Sequence, residues 1–153
     1  MTLTKNSKII IVSSGIIGAV LAILVYMTTS PGSSEDFVLN GVPIKLEIAS
    51  SPVKQYQGLS DRVELCSECG MIFPYQTAEV RTFVMRRMNF PLDIVWINNN
   101  KVVGISENLS PEQTGPYKPY ASLVPVDTVL EINAGQAKKY NLRIGENFEL
   151  KKK

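Results

Sequence analysis

The stretch that decides the fold reads FPLDIVWINNNKVVGIS, from Phe90 to Ser106. Branched and aromatic residues dominate it, which is typical of β-strands. The two residues Asn99 and Asn100 interrupt the apolar pattern and favour a turn. The stretch therefore predicts two neighbouring strands, Leu92–Asn98 and Lys101–Ser106, joined by a short connection.

Period-two patterns recur along the rest of the chain. Phe37–Leu39 and Val42–Ile48 flank Asn40-Gly41, a dipeptide suited to the tight turn of a β-hairpin. Pro125 favours an edge or a bulge in the strand that contains it. The further strands predicted from alternation are Gly70–Phe73, Val80–Arg86, Ser122–Ile132 and Arg143–Leu150.

Two short helical segments accompany these strands. Ser51-Pro52 can cap and start a helix that stops at Gly58, and Asn133 can cap a helical turn that runs to Tyr140, ended by Asn141. Many short strands with one or two short helices predict a mainly β domain, either a small sandwich or a partly closed barrel.

Composition limits the possible functions. The chain has 153 residues, is 44% hydrophobic and carries a net charge of +2, so it can bury a core and lacks a broad basic surface for nucleic acid. It contains no histidine, which removes the commonest metal ligand and the usual general base. We therefore expect no metal or other cofactor and no nucleic-acid partner, and the basic tail 151–153 is expected to be a frayed, solvated end.

An uncharged apolar stretch, Ile9–Met27, lies near the N-terminus. As a helix it would span roughly 28 Å, close to the hydrocarbon thickness of a bilayer. Lys5 and Lys8 precede it, whereas Glu35 and Asp36 follow before any further basic residue. This asymmetry predicts a single-pass membrane protein with residues 1–8 in the cytoplasm and the rest of the chain outside, in the periplasm or at the cell surface.

A cleaved signal peptide is the alternative to this anchor. The apolar stretch is longer than a signal peptide needs, and no small-x-small cleavage site follows it.

After the anchor, residues 28–36 are expected to form a flexible linker to a domain over 37–150. Small residues spaced along the anchor, such as Gly15 and Gly18, would allow weak homodimerisation.

Cys66 and Cys69 are the only cysteines in the chain. Half of a metal site, a redox pair and a disulfide are the three interpretations of a C-x-x-C motif. Glu64 and Glu68 disfavour a thiolate, and an exported domain favours a disulfide, so we expect the disulfide.

Two carboxylates stand inside apolar runs. Asp93 shares a strand face with Val95 and Ile97, where it needs an arginine partner or backbone N–H donors. Glu131 faces away from its apolar neighbours Leu130 and Ile132, so solvent is its first expected environment. If Asp93 and Glu131 lay close together in one cleft, they could act as general acid and base, and the protein would be a hydrolase or lyase.

A ligand or an envelope protein is the partner that these residues favour. The segment 107–122 holds three prolines and two tyrosines without periodicity, and such loops are often functional. Arginines provide possible partners for the carboxylates, and methionine or tyrosine could line a binding face, although such residues are more often core. The residues that we predict to bind a ligand are Arg62, Met85, Arg86, Asp93, Tyr117, Tyr120 and Glu131.

Four motifs in order resemble a known family. They are QYQGLSDR, GMIF, FVMRRMNFPLDIVWI and LEINAG, and the resemblance runs from about Val38 to Phe148. It is to domain of unknown function 192, and it implies a small sandwich-like β domain, often exported or membrane-attached in prokaryotes, without an established activity. Arg86, Arg87 and the cysteine pair depart from the pattern of that family.

Overall fold

The structure, a computed structural model, describes residues 34–153. The expected cytoplasmic segment 1–8, the anchor 9–27 and most of the linker 28–36 lie outside the described residues. Within residues 34–153, no helix has both the length and the apolar character that crossing a bilayer requires.

The described chain contains nine strands and one α-helix. β1 begins at Ser34, so the last three residues of the expected linker belong to the domain. In chain order the elements are β1 (Ser34–Leu39), β2 (Val42–Ile48), α1 (Pro52–Gln57), β3 (Cys69–Glu79), β4 (Thr82–Phe83), β5 (Leu92–Asn98), β6 (Lys101–Leu109), β7 (Tyr120–Ala121), β8 (Val126–Asn133) and β9 (Leu150–Lys152).

Seven strands form one mixed sheet in the order β6-β5-β8-β3-β2-β1-β9, and β4 pairs with β7 in a separate two-stranded sheet. β2 and β3 are parallel, whereas the other pairs of the large sheet are antiparallel. Parallel neighbours need a crossover connection, and α1 lies within it. The prediction of a mainly β domain is confirmed, but the sheet is not a closed barrel.

Local turn chemistry explains the connections that the sequence predicted. Asn40 and Gly41 have φ values of 47° and 85°, and Asn99 and Asn100 have values of 48° and 56°. Asparagine and glycine tolerate this left-handed region, so both tight turns join antiparallel strands as predicted. At α1 the Ser51 hydroxyl accepts the N–H of Lys54 at 3.3 Å, and the helix ends before Gly58.

The prediction of a strand over 80–86 is wrong except at β4. The N–H of Arg81 donates to the hydroxyl oxygen of Ser122 at 3.0 Å instead of joining a long ladder. Arg87 adopts a left-handed φ of 50°, and the chain turns there before it enters β5. The strand predicted over 122–132 starts only at Val126, directly after Pro125.

The C-terminal part differs more from the predictions. Residues 134–141 form hydrogen-bonded turns rather than a helical segment, although Asn141 has the expected left-handed φ of 52°. Residues 143–149 are irregular and do not form the predicted strand. Isolated backbone hydrogen bonds, and not a continuous ladder, hold them at the edge of β6. The basic tail is not frayed, since Lys151 and Lys152 pair with β1, although its side chains are exposed as expected.

Both faces of the large sheet are buried. Face A carries Val95, Ile97 and Leu130 and is covered by the C-terminal segment that includes Tyr140 and Phe148. The residues that identify face B are Ile94, Trp96 and Val129, and it is covered by Leu59, Met85 and Met88 from the connections around α1 and β4. A central strand buried on both faces offers no solvent-exposed position, which explains why all residues of Leu92–Ile97 are buried.

Asp93 lies on face A and is fully buried. Its Oδ1 accepts the N–H of Asn108 at 2.9 Å, and its Oδ2 accepts the N–H of Ala137 at 3.1 Å. The expectation of backbone donors is therefore confirmed, and the alternative of an arginine partner is wrong. Through these two bonds Asp93 fastens the end of β6 and the C-terminal turns to the sheet.

We expect Asp93→Asn to lower the free energy of unfolding by about 2–4 kcal/mol, because the amide group turns one acceptor into a donor that faces a backbone N–H. Urea unfolding of the full chain, followed by circular dichroism, measures this loss. Asp127→Asn is the matched control, since Asp127 accepts a single N–H, from Asn99, at an exposed site. Equal losses in the two variants would contradict the role assigned to Asp93.

Candidate functional site

Glu131 lies in the middle of face B. In β8 it stands opposite Ile94 of β5 and Met71 of β3, and only 5% of the residue is exposed. The alternation that placed it opposite to Leu130 was correct, but the expectation of a solvent-facing side chain is wrong, because face B is covered as well. Its Oε2 is buried and has no hydrogen-bond partner in the described structure.

Burial raises the pKa of Glu131 from 4.5 to about 8, and the positive charge of Arg62 opposes this rise. Arg62 itself is engaged elsewhere, because its guanidinium forms a bidentate pair with the carboxylate of Glu47. Glu131 is therefore mostly protonated near neutral pH. In that state it can donate as well as accept a hydrogen bond.

A cavity of about 200 Å³ opens beside Glu131. Its walls come from α1 and the following connection, from β3 and from the segment around β4. Aromatic rings form much of the lining, and they are Tyr56, Phe73, Tyr75 and Phe83. Such an apolar wall with a few polar groups is the usual composition of a small-molecule site, although its volume is below the roughly 300–1,000 Å³ of drug-sized ligand sites.

The aromatic wall continues into the core. The rings of Phe73 and Phe83 meet edge to face with centroids 5.0 Å apart, and Phe83 meets Trp96 in the same way at 5.7 Å. Burial raises the pKa of Tyr75, the positive charge of Arg81 lowers it, and the charge of Glu131 adds to the rise. The Tyr75 hydroxyl therefore stays neutral over the physiological range.

Arg86 provides the basic group at this cavity. Its guanidinium carbon lies 4.0 Å from the centroid of the Tyr56 ring, and its Nη2 donates to the Tyr56 carbonyl at 2.6 Å. The Nε of Arg86 is buried and has no partner in the described structure. Arg86 and Glu131 are the two predicted ligand-binding residues that line the cavity.

The other predicted residues lie elsewhere in the described chain. Arg62 is paired with Glu47, and Met85 is buried in the core beneath face B. Tyr120 pairs with Phe83 across the two-stranded sheet, whereas Tyr117 lies half-buried in the loop before it. None of these side chains is part of the described cavity lining.

Asp93 and Glu131 do not form one acid–base site. Asp93 is directly opposite Ile132 across the β5–β8 ladder, whereas Glu131 is opposite Ile94. Partners in an antiparallel ladder share a face, so the two carboxylates lie on opposite faces of the sheet. The hypothesis of a hydrolase or lyase that uses both residues is therefore wrong.

Cys66 and Cys69 form a disulfide, as expected. The loop that contains them is also held by the side chain of Asn133, which donates to the carbonyls of Leu65 and Cys66 at 3.2 and 3.0 Å. Gln136 donates to the carbonyl of Ser67 at 2.7 Å. Asn133 therefore ends β8 by fastening this loop, not by capping a helix.

Sequence reasoning missed Tyr56 and Tyr75 as cavity residues. Tyr56 belongs to α1. This short helix stops at Gly58, which leaves its last turn, and with it Tyr56, beside β3. Tyr75 lies in the part of β3 beyond the predicted end at Phe73. Two predicted residues pointed to the site, the acidic Glu131 in an apolar strand and the basic Arg86.

Fold and site together define a class of protein: a mainly β domain with a small, aromatic-lined cavity and a buried carboxyl group. The chain belongs to the DUF192 family, described as "Uncharacterized ACR", whose model matches residues 37–150. The family that the sequence motifs suggested is therefore confirmed. No curated protein matches the chain.

Two solved structures are similar to the chain. A protein of unknown function from Novosphingobium aromaticivorans DSM 12444 is 30% identical with a TM-score of 0.69, over 79% of this chain and 88% of that protein. A protein from Sinorhizobium meliloti 1021 described as a "putative transcription regulator" is 27% identical with a TM-score of 0.68, over 78% of this chain and 95% of that protein. These likenesses support the mixed-sheet fold without assigning an activity.

Replacing Glu131 with glutamine should change how stability depends on pH. The carboxyl group titrates near 4.5 in the unfolded chain and at about 8 in the folded one. Between these values the unfolded chain loses its proton first, so rising pH favours unfolding, by on the order of 5 kcal/mol in total. We expect the free energy of unfolding of the wild-type chain to fall from about pH 5 to about pH 8, and that of Glu131→Gln to fall much less.

Urea titrations of the full chain at several pH values measure this difference. Glu107→Gln is the control, because Glu107 is exposed at the edge strand β6. It should follow the wild type. Parallel curves for all three proteins would show that Glu131 ionises normally in the folded state.

Proposed function

We propose that this domain binds a small organic ligand in the cavity beside Glu131. The observation that carries the proposal is the buried Oε2 of Glu131, which has no partner within the described structure and belongs to a residue that lines the cavity. An unsatisfied buried polar atom costs roughly 1–3 kcal/mol. A ligand that completes this hydrogen bond would recover that cost, which is why such groups are common at binding sites.

The contrast with Asp93 supports this interpretation. Both carboxyl groups are buried in neighbouring central strands, yet Asp93 receives two backbone N–H groups and Glu131 Oε2 receives none in the described chain. Asp93 therefore has a structural explanation that Glu131 lacks. The aromatic walls formed by Phe73 and Phe83 supply apolar contact area for a bound molecule.

We further propose that the chain displays this domain outside the cell from a membrane anchor at residues 9–27. The proposal is supported by the uncharged apolar run, by the lysines that precede it and by the acidic residues that follow it. The disulfide between Cys66 and Cys69 is consistent with an oxidising compartment. The ligand would then be a molecule present outside the cytoplasm.

Blocking the cavity tests the binding proposal. Val84 lines the cavity and is 39% exposed, so Val84→Trp should fill its mouth without disturbing the core. Val80→Trp is the matched control, because Val80 is exposed outside the lining. The probes are phenylalanine, phenethylamine, 3-phenylpropionate and 3-phenylpropan-1-ol, measured by saturation-transfer NMR on the full chain in detergent.

We expect at least one of these probes to bind the wild type and Val80→Trp and to lose binding to Val84→Trp. Steric exclusion from the cavity is the physical reason for the loss. If no probe binds the wild type, or if binding persists in Val84→Trp, the cavity is not the ligand site.

A labelling experiment in intact cells tests the topology. We expect a cysteine introduced as Lys153→Cys to react with a membrane-impermeant maleimide, because the domain lies outside; the native cysteines are protected by their disulfide. Thr4→Cys, in the expected cytoplasmic segment, should remain unlabelled until the membrane is opened. The reverse labelling pattern would contradict export.

A further inference from the structure

An arginine and a buried carboxyl group line the Glu131 cavity without meeting each other. Among the described lining residues, Arg86 is the one basic residue and Glu131 the one acidic residue. No salt bridge joins them within the described structure. Each has a buried atom without a partner there, the Nε of Arg86 and the Oε2 of Glu131.

The neighbouring arginines are already engaged. Arg87 pairs with Asp61 at 2.6 Å, and Arg81 pairs with Glu79 at 3.2 Å. Arg62, whose charge acts on Glu131, is held by Glu47. Arg86 donates to the Tyr56 carbonyl but has no carboxylate partner within the described structure, so Arg86 and Glu131 are the two polar ends of the cavity.

We propose that the ligand of this cavity is a small zwitterion of the amino-acid class, with its carboxylate at Arg86 and its ammonium group at Glu131. This inference rests on the proposed binding function and names the chemical class of the ligand. The apolar part of the zwitterion packs against the rings of Phe73 and Phe83, which line the same cavity.

The other ligand classes leave one polar end unsatisfied. A simple amine would match Glu131 but bring a second positive charge beside Arg86, which disfavours it electrostatically. A simple carboxylic acid would match Arg86 but offer no donor to the Oε2 of Glu131, which would stay without a partner. A neutral ligand would gain neither charge-assisted bond, and such bonds are worth roughly 1.5–3 kcal/mol each.

Binding of this ligand has a proton balance that can be measured. The empty site holds Glu131 mostly protonated at neutral pH, and an ammonium group needs the carboxylate form, so the proton of Glu131 leaves to solvent. The charged and titratable groups around Glu131 and in the cavity lining are Arg62, Arg86, Tyr56 and Tyr75. Burial raises the pKa of Tyr75, so its hydroxyl stays neutral near neutral pH. Uptake of one zwitterion should therefore release about one proton.

Matched probes on one carbon skeleton test the proposal. Phenylalanine carries both charged groups, phenethylamine lacks the carboxylate, and 3-phenylpropionate lacks the amine. Valine, isobutylamine and isovalerate form a smaller series for the same comparison. Isothermal titration calorimetry of the full chain in detergent, in two buffers of different ionisation enthalpy, gives the affinity and the protons released.

In at least one series, we expect the zwitterion to bind roughly tenfold or more tightly than either relative, with about one proton released. Glu131→Gln should abolish the proton release and the advantage over the acid. Arg86→Gln should abolish the advantage over the amine, and Arg86→Lys should keep part of it.

A different order of the probe affinities overturns the inference. If an amine, an acid or the neutral 3-phenylpropan-1-ol binds as tightly as the zwitterion and is excluded by Val84→Trp, the cavity is a ligand site of another class and the proposed function stands. If zwitterion binding releases no proton in the wild type, the ammonium does not meet Glu131 and the assignment fails. If none of the probes binds, both proposals fail.

Discussion

A central sheet that is covered on both faces is the constraint on which the rest of this structure depends. β5 contributes six consecutive buried residues, and β8 beside it is buried on both faces as well. In such strands a polar side chain has no outward position, so it must find partners inside the protein or remain unsatisfied. The connection after α1, the segment around β4 and the turns after β8 follow from this constraint, because each of them covers part of one face.

Asp93 and Glu131 show the two outcomes of that constraint. On face A, the end of β6 and the C-terminal turns bring two backbone N–H groups to Asp93, and the carboxylate joins separate segments of the chain. On face B, the connection after α1 and the segment around β4 leave a cavity at Glu131 instead of donors. The same residue type therefore has a structural role on one face and a proposed binding role on the other.

The regular part of this fold could be predicted from the sequence, because local chemistry determines it. The Asn40-Gly41 and Asn99-Asn100 turns, the Ser51 cap and the alternation along β5 are all short-range features. The long-range features could not be predicted in this way. Parallel pairing of β2 with β3 and the coverage of both faces depend on contacts between distant segments, which period-two patterns do not contain.

The same limit explains the outcome at the candidate site. Alternation correctly separated Glu131 from Leu130, but it gave no information on what covers face B. Tyr56 and Tyr75 come from segments about twenty residues apart in the chain and meet only through the crossover between β2 and β3. For this reason the carboxyl group and Arg86 were found from the sequence, whereas most of the aromatic wall was not.

The aromatic contact between Phe83 and Trp96 links the cavity to the tryptophan fluorescence of the protein. Phe83 lines the cavity, and the indole ring that meets its edge belongs to the single tryptophan of the chain. Trp96 is almost fully buried and its indole N–H donates to the Ser106 hydroxyl at 3.1 Å, so we expect it to emit as a fixed, shielded indole. A molecule that shifts the Phe83 ring would therefore alter the surroundings of the single tryptophan, and its intrinsic emission would then detect filling of the cavity without any added dye.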